Sequence, residues 1–277
     1  MQVIAENSET FILLNGISVR SEIQLEEGLL LQPADTSHID FNTAISACAQ
    51  PDDIAVVLAF IPRISSQFHI SAPSPRVTAA KAWNSSWDAL LLSAIFHTEI
   101  GFNIQSSNSA MDISSRSSLR AIHRYMSGFN ESVPYTLTDS DTAWISRHFS
   151  SARTLLEDDR FQTAVQCLST YHWHPNPRIK LAMIWAGIEG IFEVSSEIRF
   201  RISLYMARFL HPDNELERKE TYHKVKKLYD VRSKAVHGAK LKGDLQVAST
   251  DSANLLNALI TKCIETRSLP LEADLVP

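Results

Sequence analysis

The residues best suited to chemistry lie close together near the end of a basic segment, in the run 228–238. This run contains Arg232, Lys234 and His237. An arginine offers a fixed cation with several N–H donors for a phosphate, and an imidazole titrates near neutrality. A site that holds a phosphodiester and transfers a proton needs these residue types. The run therefore predicts a site that binds or cleaves RNA.

The spacing Arg-x-x-x-x-His is a weak signal by itself, because chance predicts about one copy in a chain of this composition. Arg218 and His223 have the same spacing. Helical position separates the two copies: Arg232 falls on the apolar stripe of the predicted helix, whereas Arg218 lies at its solvent-facing amino end. An arginine among apolar side chains needs an anion, a partner subunit or a buried ion pair.

His237 lies about 140° round the helix from Arg232 if the helix continues unbroken. Arg232 and His237 can share a site only if the helix ends near Val236, or if the site forms between two subunits. Gly238 favours such a helix end.

The distribution of charge supports a phosphate-binding role for this segment. The chain has a net charge of −5, which argues against nucleic-acid binding through its whole surface. Residues 215–243 hold nine Lys/Arg against four Asp/Glu, so this segment carries +5 and the rest of the chain −10. A basic strip on an acidic body can follow a phosphate backbone. The alternative, a solvated helix face without a ligand, stays open.

Length and composition indicate a soluble globular protein. The chain has 277 residues, of which 44% are hydrophobic and 21% charged, and it suits one large or two ordinary domains. Its first six residues lack the basic start and apolar run of a signal peptide, and no apolar stretch is long enough to span a bilayer. We therefore expect a cytoplasmic protein without membrane contact.

No pattern in the sequence predicts a cofactor or a metal. Cys48, Cys167 and Cys263 are far apart and odd in number, which favours reduced thiols over a disulfide framework or a zinc site. His172 and His174 lack a nearby third ligand and precede a proline-marked helix exit. The amino-terminal half contains no Walker loop or dinucleotide fingerprint.

Residues 1–130 predict a mixed α/β domain, for which a sensing or substrate-selecting role is one hypothesis. Turn residues and hydrophobic periodicity predict its elements. In chain order these are a hairpin across Asn15-Gly16, a strand pair (23–25 and 29–31), a buried strand (54–60) with a partner (67–71), a helix (76–96), a strand (99–104) and a short helix (120–126).

Residues 138–268 predict an all-helical domain, so the fold class is α+β. The expected helices lie around Trp144, after Asp158, and at 178–192, 197–210, 215–236 and 245–264, with a loose tail after residue 268.

The segment 178–192 is apolar nearly all round, as a central helix should be. Ala182, Ala186 and Gly190 form a smooth edge where another helix can approach closely. Glu189 is the one charge between residues 181 and 192, and burying it unpaired would be costly. We expect it to pair with Arg199 or Arg201, and the alternative is that it orients a catalytic side chain.

Three segments of the region 144–238 resemble the HEPN superfamily, and more narrowly its Apea-like branch. They are Ile184-Trp-Ala-Gly-Ile-Glu-Gly-Ile-Phe192, Ser196-Glu-Ile-Arg-Phe-Arg-Ile-Ser203 and Leu228-Tyr-Asp-Val-Arg-Ser-Lys-Ala-Val-His-Gly238. The resemblance implies an up-down helical bundle that dimerises so that two Arg-x-x-x-x-His motifs meet in one cleft. It also implies a metal-independent ribonuclease, of a kind often found in bacterial toxin or anti-phage systems.

On this basis Arg232 and His237 match the family's catalytic pair, although Ser233 stands where Asn or Asp commonly follows the arginine. The expected supporting residues are Lys234, Ser233, Glu189, Arg199 and Tyr229. In the implied reaction His237 takes the proton of a ribose 2′-OH, which attacks the adjacent phosphate to give a 2′,3′-cyclic phosphate. Arg232 holds the charge on the phosphoryl oxygens.

We expect RNA and a second copy of the chain as partners, with a regulatory protein as a further hypothesis.

Two rival hypotheses on the function remain. One is a non-catalytic HEPN bundle that binds RNA or nucleotide, or serves as a dimeric scaffold or antitoxin. The other is a structural helical domain in which Arg232 pairs internally with Glu189.

Overall fold

The computed structural model describes Val3, Ala5 and residues 7–123, 133–238 and 244–275. The chain divides into two compact units, one of Met1–Leu92 with Thr98–Ser150, and one of Ser93–His97 with Ser151–Pro277. The first unit contains an antiparallel sheet and the remainder of the chain is mostly helical, which confirms the α+β class. The predicted limits of 1–130 and 138–268 stay a prediction. The helix expected around Trp144 is divided at Ser150 between the two units.

The strands of the first unit form one antiparallel sheet and one short parallel pair. They are β1 (Glu9–Asn15), β2 (Ile17–Ser18), β3 (Ile23–Glu26), β4 (Leu29–Pro33), β5 (Ile64–Ser71), β6 (Gly101–Ser106), β7 (Leu119–Ala121) and β8 (Tyr135–Thr136). The antiparallel sheet has the order β3-β4-β5-β1-β6-β7, and β2 pairs with β8. β1 lies between β5 and β6 and is buried from Thr10 onward, which explains its continuous apolar run.

The helices of the described residues follow the predicted positions in most cases. They are α1 (Phe41–Ala47), α2 (Ile54–Phe60), α3 (Pro75–Phe96), α4 (Asp139–Leu155), α5 (Asp159–Thr170), α6 (Pro177–Phe192), α7 (Ile198–Leu210), α8 (Glu215–Val236), α9 (Leu245–Thr266) and α10 (Glu272–Leu275). None of the helices in these ranges is both long and apolar enough to cross a membrane.

The hairpin predicted across Asn15-Gly16 is wrong. β1 pairs with β5 and β6, and the residues after Gly16 pair with β8 instead of folding back on β1. Gly16 does have a positive φ of 83°, but a Cβ there would lie 1.9 Å from the carbonyl oxygen of Glu99. Glycine is therefore needed for this close backbone approach as well as for its left-handed conformation.

The buried strand predicted at 54–60 is also wrong, because this segment forms α2. Val57 and Phe60, one helical turn apart, are its buried residues, and they belong to the core that includes Leu13 and Ile104. A short apolar run does not distinguish a strand from a buried helix by periodicity. The strand expected at 67–71 lies within β5, where it pairs with β1 and β4.

The other predictions for the first unit divide into confirmed and corrected ones. The pairing of β3 with β4, the helix α3 and the strand β6 are confirmed, with β6 beginning two residues later than expected. The short helix predicted at 120–126 is wrong at its start, since Leu119–Ala121 is strand β7. Residues 124–126 lie outside the described part.

In the second unit α6 packs against α5, α8 and α9. Its bulky side is buried as predicted, and the indole of Trp185 donates a hydrogen bond of 3.1 Å to Ser252 Oγ. Asp158, Asn176, Asn214 and Asp244 cap the amino ends of α5, α6, α8 and α9 with their side chains. These caps fix where the central helices begin.

The prediction of a loose tail after residue 268 is wrong over the residues that the structure describes. It forms α10, and Leu269 and Leu275 are buried. The carboxylate of Glu272 accepts hydrogen bonds of 2.6 Å from both Arg201 and the Tyr205 hydroxyl of α7. Alternating leucines in a short polar segment were too weak a pattern to predict this.

Candidate functional site

The carboxyl end of α8 carries the predicted catalytic pair. The helix ends at Val236 as expected, with His237 as its C-cap and Gly238 at a φ of +75°. The backbone N–H of His237 still bonds to the carbonyl of Ser233 at 3.1 Å. A left-handed residue after the cap terminates a helix, and glycine adopts that conformation without a Cβ penalty.

Arg232 pairs with Glu189 of α6, which corrects the expectation that Glu189 pairs with Arg199 or Arg201. Nη2 of Arg232 lies 2.9 Å from Oε1 and 3.1 Å from Oε2 of the carboxylate. The two side chains are 20% and 24% exposed. The ion pair is thus partly buried in the seam between α6 and α8, where the helical periodicity placed the arginine.

The two arginines expected to reach Glu189 have other partners. Arg199 forms a short ion pair with Asp230 of α8, and Arg201 contacts Glu272 at 2.6 Å and Glu197 at 3.7 Å. Both guanidinium groups start from α7, whose side chains reach the outer side of α8 and the tail. Partner choice therefore depends on the packing of the helices, which sequence distance does not reveal.

The ion pair uses one end of the guanidinium. Nη2 makes the hydrogen bond to Glu189, and Nε of Arg232 is buried without a hydrogen-bond partner among the described residues. A guanidinium has five N–H donors. Among the described residues the carboxylate therefore engages only Nη2, and the buried Nε is not open to an anion from solvent.

Burial and the arginine act on Glu189 in opposite directions. Burial raises the pKa of this carboxyl group, because removal from water disfavours the charged form, and the positive charge of Arg232 lowers it in part. The net pKa lies above its ordinary value. The positive charge of Arg232 therefore offsets part of the free-energy cost that burial imposes on the charged carboxylate.

Tyr229 completes the surroundings of the arginine. Its ring centroid lies 5.6 Å from Cζ of Arg232, within cation–π range. The ring in turn meets Trp185 at 5.4 Å and nearly perpendicular, at 83°. A buried indole, a tyrosine and a carboxylate thus limit where the guanidinium can move.

His237, Lys234 and Ser233 lie beyond this cluster. His237 and Lys234 are exposed and Ser233 is half-buried. Within the described ranges no hydrogen bond or ion pair joins Arg232 to His237. The structure therefore brings Glu189, Tyr229 and Arg232 into contact, and leaves His237 open to solvent at the helix end.

Arg178 is a residue of this region that the sequence reasoning missed. Its Nη1 donates a hydrogen bond of 2.6 Å to the carbonyl oxygen of Ala235, in the last turn of α8. A cation there satisfies a terminal carbonyl and opposes the negative end of the helix dipole. Since Arg178 lies 57 residues away in sequence, no local pattern could have indicated the contact.

A groove of about 720 Å³ lies on another side of α8, between α8 and the start of α9. Its lining includes His223, Lys224, Lys227 and Leu228, but neither Arg232 nor His237. Lys224 is neutralised there by Asp251 at 3.0 Å. The groove is thus separate from the predicted pair.

In the part of the chain that the structure describes, no three His, Cys, Asp or Glu side chains are grouped as metal ligands. No family model, no curated protein and no solved structure matches the chain. The functional argument therefore rests on the residues of α6 and α8 and on the resemblance of their sequence.

Proposed function

We propose that the helical unit is a HEPN-type bundle and that the chain is a metal-independent endoribonuclease acting as a homodimer, with Arg232 and His237 as its catalytic residues. The observation that supports this most is the placement of Arg232. A guanidinium held in a seam by one end, with an exposed histidine five residues later at the helix terminus, suits a phosphate and a proton acceptor.

In the proposed reaction His237 accepts the proton of the ribose 2′-OH as the 2′-oxygen attacks the adjacent phosphorus. The O2′–P bond forms while the P–O5′ bond breaks, which leaves a 2′,3′-cyclic phosphate. The imidazolium of the second copy's histidine gives its proton to the departing 5′-oxygen. Free N–H donors of Arg232 bind the phosphoryl oxygens, where negative charge increases in the transition state. Lys234 assists by binding the substrate.

Support for the homodimer comes from the edge of α6. Ala186 is exposed, and a Cβ added at Gly190 would meet no atom within 4 Å among the described residues. Small side chains let two helices approach closely, so this edge suits a second copy. We further propose, on the resemblance alone, a cytoplasmic role in a bacterial toxin or anti-phage system under a regulatory partner.

The ion pair with Glu189 favours a second candidate function. A carboxylate that neutralises Arg232 reduces its ability to stabilise a transition state, and it leaves a bundle suited to binding RNA or nucleotide without turnover. The same contact is what a purely structural role of Arg232 requires. Cleavage and binding therefore have to be measured separately.

The chain contains its own control for the cleavage test. Arg218 and His223 repeat the Arg-x-x-x-x-His spacing at the other end of α8, where His223 is exposed and the half-buried Arg218 donates a hydrogen bond to the carbonyl of Pro212. We expect His237→Ala to lower the cleavage rate of a mixed RNA pool about 10²- to 10⁴-fold, and the double variant Arg218→Ala/His223→Ala to keep it. Equal activity of both proteins would remove His237 from the mechanism. If the wild type binds but does not cut RNA, the non-catalytic candidate is correct.

A further inference from the structure

One flank of α8 alternates aromatic rings and cations. Tyr222, Lys226, Tyr229 and Ser233 fall within an arc of about 60° on the helix, and Arg232 lies about 60° beyond its edge at Tyr229. All five residues are half-buried, so they belong neither to the core nor to the fully solvated face. The flank extends about 15 Å along the helix from Tyr222 to Arg232.

The rings and cations of this flank are in contact. Nζ of Lys226 lies 5.6 Å from the ring centroid of Tyr222, and Cζ of Arg232 lies 5.6 Å from that of Tyr229. Each cation is thus placed beside a ring one helical turn away. Such cation–π pairs are attractive in water.

Neighbouring aromatic residues fix both tyrosines. Trp185 of α6 meets Tyr229 nearly perpendicular, and Phe200 of α7 meets Tyr222 at 6.5 Å and 77°. Phe200 is itself 52% exposed. A large exposed aromatic beside an ordered tyrosine adds a third ring to the same surface.

The two cations of this flank differ in charge balance, because Arg232 is paired with Glu189 through one end of its guanidinium. Lys226 makes no ion pair with a described residue, whereas Lys224 is neutralised by Asp251 and the nearby Asp230 by Arg199. The surrounding segment 215–243 carries a net charge of +5 on an otherwise acidic chain. The surface therefore has a positive charge and stacking rings together.

We propose that this flank of α8 is a binding track for single-stranded RNA that leads to Arg232. The proposal rests on the proposed function, and names the form of its substrate. Aromatic rings stack on unpaired bases and cations follow the phosphates, whereas a duplex buries the faces of its bases. The substrate class is therefore an unpaired RNA segment that reaches the cleavage site from the Tyr222 end.

Binding is measured by fluorescence anisotropy with a 2′-O-methyl oligonucleotide, which has no free 2′-OH and cannot be cut. We expect the full chain to bind the single strand at least five-fold more tightly than the same sequence in a duplex. Tyr222→Leu weakens single-strand binding at least five-fold, as expected for the loss of one base stack, while Tyr222→Phe stays within two-fold of wild type.

Adjacent lysines provide a matched control for charge. Lys226→Ala and Lys227→Ala remove the same charge from neighbouring positions, but Lys227 lies about 100° away from Lys226 round the helix and lines the groove beside α9. We expect Lys226→Ala to lower the slope of log Kd against log salt by about one, and Lys227→Ala to change it less.

Three results of the binding experiments would overturn the track. They are equal binding of single strand and duplex, equal Kd values for all four variants, and a change in oligomeric state on Tyr222→Leu in place of a change in Kd. The last result would assign the flank to a contact between copies. Cleavage by the same variants is measured in parallel, so an enzyme that depends on His237 but not on Tyr222 refutes the track and leaves the proposed function intact.

Discussion

The ion pair between Glu189 and Arg232 gives the most direct prediction on stability. Arg232→Met removes the charge and keeps a side chain of similar length, so Glu189 stays in the seam without its cation. Removing one partner of a fully buried pair costs about 3–5 kcal/mol. Since these side chains are 20% and 24% exposed, we expect a loss of about 2–3 kcal/mol in the free energy of unfolding at pH 8.

The double variant distinguishes a lost contact from a buried, unpaired charge. Glu189→Gln/Arg232→Met leaves an amide beside a thioether, and no isolated charge remains. We expect it to lie within about 1 kcal/mol of wild type, because the replacement of both partners is often neutral. Urea unfolding followed by far-ultraviolet circular dichroism of the helices measures wild type, Arg232→Met, Glu189→Gln and the double variant. A double variant that loses the sum of both single losses would refute the reasoning.

The sign of the pH dependence follows from the raised pKa of Glu189. Arg232 lowers that pKa, so Arg232→Met raises it further, and the neutral carboxyl is tolerated in the seam. A group whose pKa is raised on folding contributes its stability at low pH and loses it as the pH rises. The destabilisation by Arg232→Met should therefore be large at pH 8 and shrink toward pH 5. An equal loss at both values would contradict this account.

Three further predictions concern single residues. Burial lowers the pKa of His172 to about 4, so the second unit should lose stability as the pH falls from about 6.5 toward 4, and His172→Gln should remove that loss in urea titrations. Burial raises the pKa of Asp88 to about 7. The first unit should therefore become less stable as the pH rises from about 4 to 7, and Asp88→Asn should remove this loss in the same titrations. Gly238→Ala should lower the free energy of unfolding by about 1 kcal/mol through its positive φ alone, since a Cβ there meets no described atom. An unchanged midpoint of urea unfolding would contradict the left-handed helix end beside His237.

The sequence predicted α8 and its unusual arginine well. Residues 215–236 were expected as one helix, and the structure has Glu215–Val236. The stripe of apolar residues placed Arg232 in a seam, and it is there. Helical periodicity sufficed because the segment is long, and its ends carry an Asn cap and a glycine.

The partner of Arg232 was named only in the rival hypothesis of a structural domain, and helical periodicity could not choose it over the alternatives. Glu189 was recognised as a costly buried charge, but nearby arginines in the sequence were favoured over Arg232, 43 residues away. The contact of Arg178 with the end of α8 was missed for the same reason. These contacts depend on which helices become neighbours, and that information is distributed over the whole core.

Errors in the first unit arose from local patterns with two meanings. The run 54–60 is apolar enough for a buried strand, yet it forms α2, whose buried residues are one turn apart. Asn15-Gly16 has the composition of a tight turn, but Gly16 is required by the approach of the Glu99 carbonyl. Both cases were decided by tertiary packing.

The measurement closest to the central claim is cleavage of an RNA whose cut site has been mapped, compared with the same RNA carrying one 2′-deoxy sugar on the 5′ side of that site. The account predicts that the wild-type chain cuts only the first substrate, leaves a 2′,3′-cyclic phosphate and a 5′-OH, and does so in EDTA. His237→Ala should lower the rate of the cut about 10²- to 10⁴-fold. Cleavage of the 2′-deoxy substrate, cleavage by His237→Ala at the wild-type rate, or loss of activity in EDTA would contradict it.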